Sequence, residues 1–320
     1  MNWFLCALLC LTGWGFADLF YKMSSDESDR YSHLKIAVWV GLVMSICSFL
    51  LLPYTESHLS GGRLLANAVK YLPASLSYIL SMVIGYAGLR YLELSIVSPV
   101  QNASGALSVI CMIIFFVMTG RSAEISETFS LPAILGTALA VAGVIGIAIV
   151  EHQESVRNDS HAETGIDTAP AKNYRTGALA LLFPILYCVF DTIGTAADGI
   201  ILTTDSGLGE IDVIVLYGFT FLLAGIVCWI ILWVKTKKPY LPFARSEWPK
   251  AAAAVCEMAG QIFYVYAMAE NPMLAAPMVA TYCILSVILS RIFLKEKLKP
   301  AQMACVFTVI LGVALLGLEP

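Results

Sequence analysis

The sequence predicts an all-α integral membrane protein: about ten transmembrane helices arranged as two inverted five-helix repeats around a central cavity. Three observations lead there. Apolar blocks have membrane-spanning length, one long polar stretch interrupts them at mid-chain, and the second half of the chain repeats the register of the first.

Of the 320 residues, 59% are hydrophobic and only 13% charged, and the mean hydropathy is +0.80. A soluble fold cannot cover that much apolar surface. The apolar residues come in blocks of roughly 20, enough helix to cross a hydrocarbon layer about 30 Å thick. Spans are read at 3–21, 34–53, 70–89, 95–118, 131–150, 177–202, 212–234, 251–269, 273–294 and 301–318. Helix is the required element, because backbone in lipid must satisfy its own hydrogen bonds. The separators fit: Ser24-Ser25-Asp26-Glu27-Ser28-Asp29 reads as a charged turn, Ser60-Gly61-Gly62 as a flexible one and Lys237-Lys238-Pro239 as a basic helix stop. Met1-Asn2-Trp3-Phe4 has no basic leader, and the run after it has no small-residue cleavage site, so it reads as an uncleaved first helix.

The nine cysteines (6, 10, 47, 111, 188, 228, 256, 283 and 305) all fall inside apolar blocks and read as packing residues, with neither a disulfide framework nor a metal site. No cofactor motif is present. A net charge of -4 without a basic tract argues against nucleic acid as a partner.

The polar stretch Glu151 to Arg175, with Asp159, Glu163, Asp167 and Pro170, reads as a disordered linker between five spans and five spans. Sliding the second half back by 178 residues puts Tyr264 on Tyr86, Pro277 on Pro99 and Leu285-Ser286-Val287 on Leu107-Ser108-Val109. At the front of each half, an offset of 173 aligns Ala7-Leu8-Leu9 with Ala180-Leu181-Leu182, Trp14 with Tyr187 and Asp18 with Asp191. An odd number of spans per half inverts the second repeat relative to the first. Secondary transporters are widely built this way, with the solute site between the halves near the midplane.

These residues resemble the drug/metabolite transporter superfamily, specifically its EamA-type members. The resemblance rests on Trp14-Gly15 followed by Lys22, on the Pro99 and Pro277 helices, and on the ends of the halves. Phe293-Leu294-Lys295-Glu296-Lys297-Leu298 leads to Leu311-Gly312-Val313 in the second, and Gly120-Arg121 leads to Ala142-Gly143-Val144 in the first. It implies an EamA-like repeat over 1–150, a linker over 151–175 and a second repeat over 176–320. It also implies both termini inside. The Lys and Arg count opposes this: 15 lie on one side of the spans and 3 on the other, which by the positive-inside rule places both termini outside.

Function should show in intramembrane polarity, since a charge at the bilayer centre costs roughly 2.5–3.5 kcal/mol on insertion scales. Asp18, Asp191, Asp198 and Glu257 lie within spans, Asp191 and Glu257 deepest. Residues three, four and seven apart share a helix face. Trp14 with Asp18 forms one polar stripe, Tyr187, Asp191 and Thr195 a second, and Glu257, Gln261 and Tyr264 a third. Gln101, Asn102 and Ser104 follow Pro99, and Thr281 and Tyr282 follow Pro277, where a proline kink frees backbone that a cavity can satisfy. Spans two, five, seven and ten then read as scaffold.

Acids with the ring faces of Trp14, Tyr86, Tyr187, Tyr264 and Tyr282, and no deep Lys or Arg, suit a neutral, zwitterionic or cationic organic solute rather than a phosphorylated one. A buried acid can also carry a proton, and Glu257 or Asp191 is the candidate for coupling flux to a proton gradient. The expected protein is a multi-pass transporter in the cell (plasma or inner) membrane, its partners a small solute, lipid and possible coupling protons. A membrane-embedded enzyme is the alternative, but the four histidines (33, 58, 152 and 161) lie in loops or at span edges and no HExxH motif occurs. A non-transporting scaffold would need large loops or a signalling domain, and the sequence shows neither.

Overall fold

The computed structural model describes the chain except residues 1, 26–28, 56–61, 92–93, 123–124, 126–128, 164–177, 205, 294–299, 317 and 319–320. Its helices are α1 (Trp3–Ser24), α2 (Ser32–Leu51), α3 (Gly62–Gly88), α4 (Leu94–Asn102), α5 (Ser104–Met118), α6 (Leu131–Glu163), α7 (Ala178–Thr203), α8 (Glu210–Thr236), α9 (Trp248–Glu270), α10 (Pro272–Val279), α11 (Tyr282–Phe293) and α12 (Pro300–Leu316). Among the described residues there is no strand. Eight helical stretches are long and apolar enough to cross a membrane, and the shorter apolar Leu131–Gly146 and Pro300–Leu316 bring the spans to ten. Two spans are interrupted: α4 and α5 form the fourth, α10 and α11 the ninth. Leu50, Leu65, Met118, Val234 and Phe307 stand exposed on the outside, as lipid-facing residues should.

Helix packing reveals the repeat more directly than sequence identities do. α1 packs on α9 and, in the same relation, α7 on α3; α2 packs on α8, and α6 on α12. The weaker contacts follow the same exchange: α2 with α9 mirrors α8 with α3, and α1 with α11 mirrors α7 with α5. Exchanging α1–α6 with α7–α12 therefore maps these main contacts onto one another, as a two-fold relation between the halves requires. The interruptions obey it too. α4 and α10 start 178 residues apart, and so do α5 and α11.

Small residues permit these crossings, because lipid offers no hydrophobic gain for pressing helices together and close backbone approach must supply the attraction. A Cβ on Gly13 of α1 would lie 2.9 Å from the Cα of Gly260 on α9. At the crossing of the interrupted spans, a Cβ on Gly105 would lie 2.8 Å from the Ala276 carbonyl oxygen.

Three readings change. α3 starts at Gly62, eight residues before the apolar block, because Arg63, Leu64, Leu65, Ala66, Ala68 and Lys70 are good helix formers. α6 runs on to Glu163, so residues 151–163 are helix where composition predicts a disordered linker; no Gly or Pro breaks the chain between Gly146 and Gly165. The rest of that linker, the Asp26–Ser28 part of the charged turn, Ser60-Gly61 and most of the Phe293–Leu298 motif lie outside the described residues. A proline frees the carbonyl one turn before it, yet each interruption comes within a turn after Pro99 or Pro277. Side-chain donors take over carbonyls there: Asn102 Nδ2 donates to Ser98 O at 2.8 Å and Thr281 Oγ1 to Met278 O at 2.6 Å.

Cations hold helix ends at both faces of the molecule, where the last carbonyls are unpaired and carry partial negative charge. At one face Lys22 Nζ of α1 donates to Leu89 O, just past α3, at 2.8 Å. Nearby, Asp29 accepts from Lys35 at 2.6 Å and from the Tyr31 amide at 3.0 Å, fixing the entry to α2. Burial pushes the Asp29 carboxyl up, but these hydrogen bonds and the Lys35 and Lys250 charges outweigh it and hold it below its ordinary value. At the other face Arg121 donates to Thr203 O at 3.0 Å, at the end of α7, and Lys70 to Ser206 O at 3.1 Å.

Candidate functional site

Helices α1, α3, α7, α8 and α9, with the two interrupted spans, surround a cavity of about 60 Å³ between the halves. All eleven polar or aromatic candidates from the sequence stand on its wall. α1 contributes Trp14 and Asp18, α3 Tyr86, α4 Gln101 and Asn102, α7 Tyr187 and Asp191, α9 Glu257, Gln261 and Tyr264, and α11 Tyr282. Pro99 and Pro277 stay in the helices that carry the interruptions, and Pro277 is not on the wall.

The repeat-related aspartates are held alike by serines of the interrupted spans. Asp18 Oδ2 accepts from Ser98 Oγ of α4 at 2.7 Å and from Ser286 Oγ of α11 at 2.8 Å, tying the halves together. Asp191 Oδ2 accepts from Ser104 Oγ at 2.6 Å. Ser104 opens α5, so the carboxyl group lies at a helix N-terminus, where partial positive charge favours it. Ser108, the residue that aligns with Ser286, reaches Thr192 O at 3.3 Å, beside Asp191.

Aromatic rings line the cavity next to the acids. The Trp14 ring lies 5.1 Å from Tyr264 and 5.6 Å from Tyr282, and its Nε1 donates to Glu257 O at 3.3 Å. Gly260 makes the seat for that indole, since any Cβ there would strike the Trp14 ring. Gly85 does the same for Tyr187, whose ring would lie 2.6 Å from a Cβ at 85. Tyr86 OH donates to Tyr21 OH at 3.2 Å, which leaves the Tyr21 hydroxyl to donate toward Glu257. At the other end of the cavity Tyr78 OH and Tyr264 OH are 2.6 Å apart, and Tyr78 OH reaches Thr195 Oγ1 at 3.3 Å.

Two buried amides complete the wall. Gln101 Nε2 and Gln261 Nε2 make no hydrogen bond within the protein. Buried donors are rarely left so, and both are on the wall of the cavity. No Lys, Arg or His is on the described wall. Nor do three or more His, Cys, Asp or Glu gather anywhere among the described residues closely enough to hold a metal ion.

Sequence reading missed Tyr21, Tyr78 and Tyr217, all on the wall. Tyr217 corrects the view of span seven as scaffold: it sits on α8 with its ring 5.7 Å from Tyr78. A lone tyrosine in an apolar run carries no periodic signal. Spans two, five and ten give the cavity no described residue. Asp198 also stands apart, fully buried two turns beyond Asp191 on α7 and off the cavity wall.

Residues 179–318 match the EamA-like transporter family. No curated protein matches the chain. Among solved structures, 26 chains match. One, from a crystal structure, aligns over 99% of this chain and 96% of its own with a TM-score of 0.62 and 14% identity, a likeness of fold. The ten spans and the family match make this a multi-pass membrane protein whose residues 179–318 are similar to the EamA-like transporter family of the drug/metabolite transporter superfamily.

Proposed function

We propose that the chain is a secondary transporter that moves a small neutral, zwitterionic or cationic organic metabolite across the cell membrane by alternating access. In this reading it is built of two EamA-like repeats, 1–150 and 176–320, and flux is coupled to protons. The solute of best fit is an amine that also carries a hydrogen-bond acceptor. The observation that carries this is the composition of the wall: three carboxyl groups (Asp18, Asp191 and Glu257), the Trp14, Tyr264 and Tyr282 rings, and no basic side chain among the described lining residues. An ammonium group is attracted both by carboxylates and by ring faces, whereas a phosphate would meet repulsion with no cation to offset it. The unpaired Gln101 and Gln261 amides are suited to receive an acceptor at the solute's other end.

A neutral solute fits less well, because it would leave the carboxyl groups buried against no charge. Catalysis would need a group poised to attack or to hold a metal, and the three carboxyl groups are dispersed over three helices. Screening purified protein by thermal shift against amines, amino acids, nucleosides, sugars and sugar phosphates tests the reading. A ligand that binds only the folded state raises its apparent stability, by about 2.7 kcal/mol at 100 times its Kd. Amines or amino acids are expected to give the largest shifts. A shift confined to sugar phosphates would overturn the reading.

A further inference from the structure

We propose that Asp198 is a proton-binding site separate from the solute cavity, sealed behind the Tyr78 and Tyr264 hydroxyl pair and reached by water when the Arg121 face opens. This rests on the transporter reading above and gives the proton to a different residue from the acids of the cavity.

Asp198 is 0% exposed, and neither carboxyl oxygen makes a hydrogen bond. Seven residues past Asp191 on α7, it lies about 10 Å farther along the axis, beyond the Tyr78 and Tyr264 pair. The hydroxyls of Tyr71 and Tyr78 on α3 face it, and Tyr71 OH and Ser75 Oγ are themselves buried without a hydrogen bond. Tyr217 of α8, Tyr264 of α9 and Asp191 of its own helix are the other ionisable groups in electrostatic reach. α4 and α10 carry no ionisable side chain, α5 carries only the exposed Cys111, and Met112 and Pro272 pack against the neighbouring Gly199. The cations at this face, Lys70 and Arg121, donate to the Ser206 and Thr203 carbonyls at the end of α7.

A carboxylate in such a place would be a buried charge with no cation facing it and only tyrosine hydroxyls to hold it, which proteins avoid by binding a proton. One proton cancels the charge and gives Asp198 an O–H to donate. A metal cation would need a shell of oxygen ligands, and among the described residues no such group gathers.

The surroundings offer two exits for that proton. When the Arg121 face parts, the Asp198 O–H bond breaks to water at that face. In the opposite state Tyr78 accepts the proton as its own passes through Tyr264 to water in the cavity, so each hydroxyl ends as it began. One proton crosses per cycle, and the solute acids need not change charge.

The test uses the full chain in lipid films and proteoliposomes. Infrared spectra at neutral pH should show a protonated-carboxyl band that shifts only slowly in D2O. Asp198→Asn should remove that slow component, Asp198→Glu should keep it, and Asp191→Asn with Glu257→Gln should leave it in place. A slow component that survives Asp198→Asn, or that sodium rather than pH abolishes, would overturn the proposal. In proteoliposomes with choline as probe, Asp198→Asn should lose accumulation driven by a pH gradient at least tenfold while choline counterflow stays within twofold. Full pH-driven accumulation in that variant would also overturn it. If wild-type protein shows the slow band but moves no choline, the solute reading fails and the proton site stands.

Discussion

Glu257→Gln is expected to remove most binding of cationic solutes while leaving the fold intact. Glu257 lies on α9, 7% exposed, with its backbone carbonyl held by Trp14 Nε1 and its carboxyl group facing Tyr21. Glutamine keeps the volume and the capacity to accept from Tyr21, so the packing of α9 on α1 should not change. What is lost is one negative charge in a cavity shielded from water, where removing one partner of a buried charge pair costs about 2–5 kcal/mol. Affinity for a cationic amine should therefore fall by roughly 30-fold or more. Melting temperature without ligand should stay near that of the wild type. A neutral solute that bound both forms equally would argue that this carboxyl group is structural.

Gly260→Leu is expected to have the largest effect on the fold. Gly260 is where α9 meets the Trp14 indole, and a Cβ there would strike that ring. Insertion of extra carbons into a packed interior typically costs about 1–3 kcal/mol when neighbours can shift. Here the atoms met belong to the rigid Trp14 indole, itself packed between Tyr264 and Tyr282, so the cost should reach the upper end of that range or exceed it. The α1 and α9 crossing also has a counterpart in α7 on α3, and Gly85 seats Tyr187 at that related place. The leucine variant should show a lowered melting temperature and poor recovery of monodisperse protein. A melting temperature equal to that of the wild type would mean that α1 and α9 are farther apart than described.

Much of this arrangement is legible in the sequence because burying a polar residue in lipid is costly. Asp18, Asp191 and Glu257 stand out against apolar runs, and the aligned Pro99 and Pro277 mark the two interrupted spans. The seryl partners of the aspartates are not legible: Ser98, Ser104 and Ser286 differ in no visible way from serines that only bond back to their own helix, such as Ser48 to Met44. Nor is the inward turn of Tyr217 or Tyr78. In water an amphipathic stripe tells which helix face is buried, but in lipid both faces are apolar and the stripe fades. The helical reach of α6 to Glu163 was hidden for the opposite reason, since its polar residues form helix as readily as they stay irregular.

Counterflow in proteoliposomes tests most directly whether a solute is carried through the acid and aromatic cavity. Vesicles loaded with an unlabelled cationic or zwitterionic amine should take up the labelled compound saturably, and Glu257→Gln should reduce that exchange at least tenfold. Saturable exchange of sugar phosphates in place of amines, or amine exchange unchanged by Glu257→Gln, would contradict it.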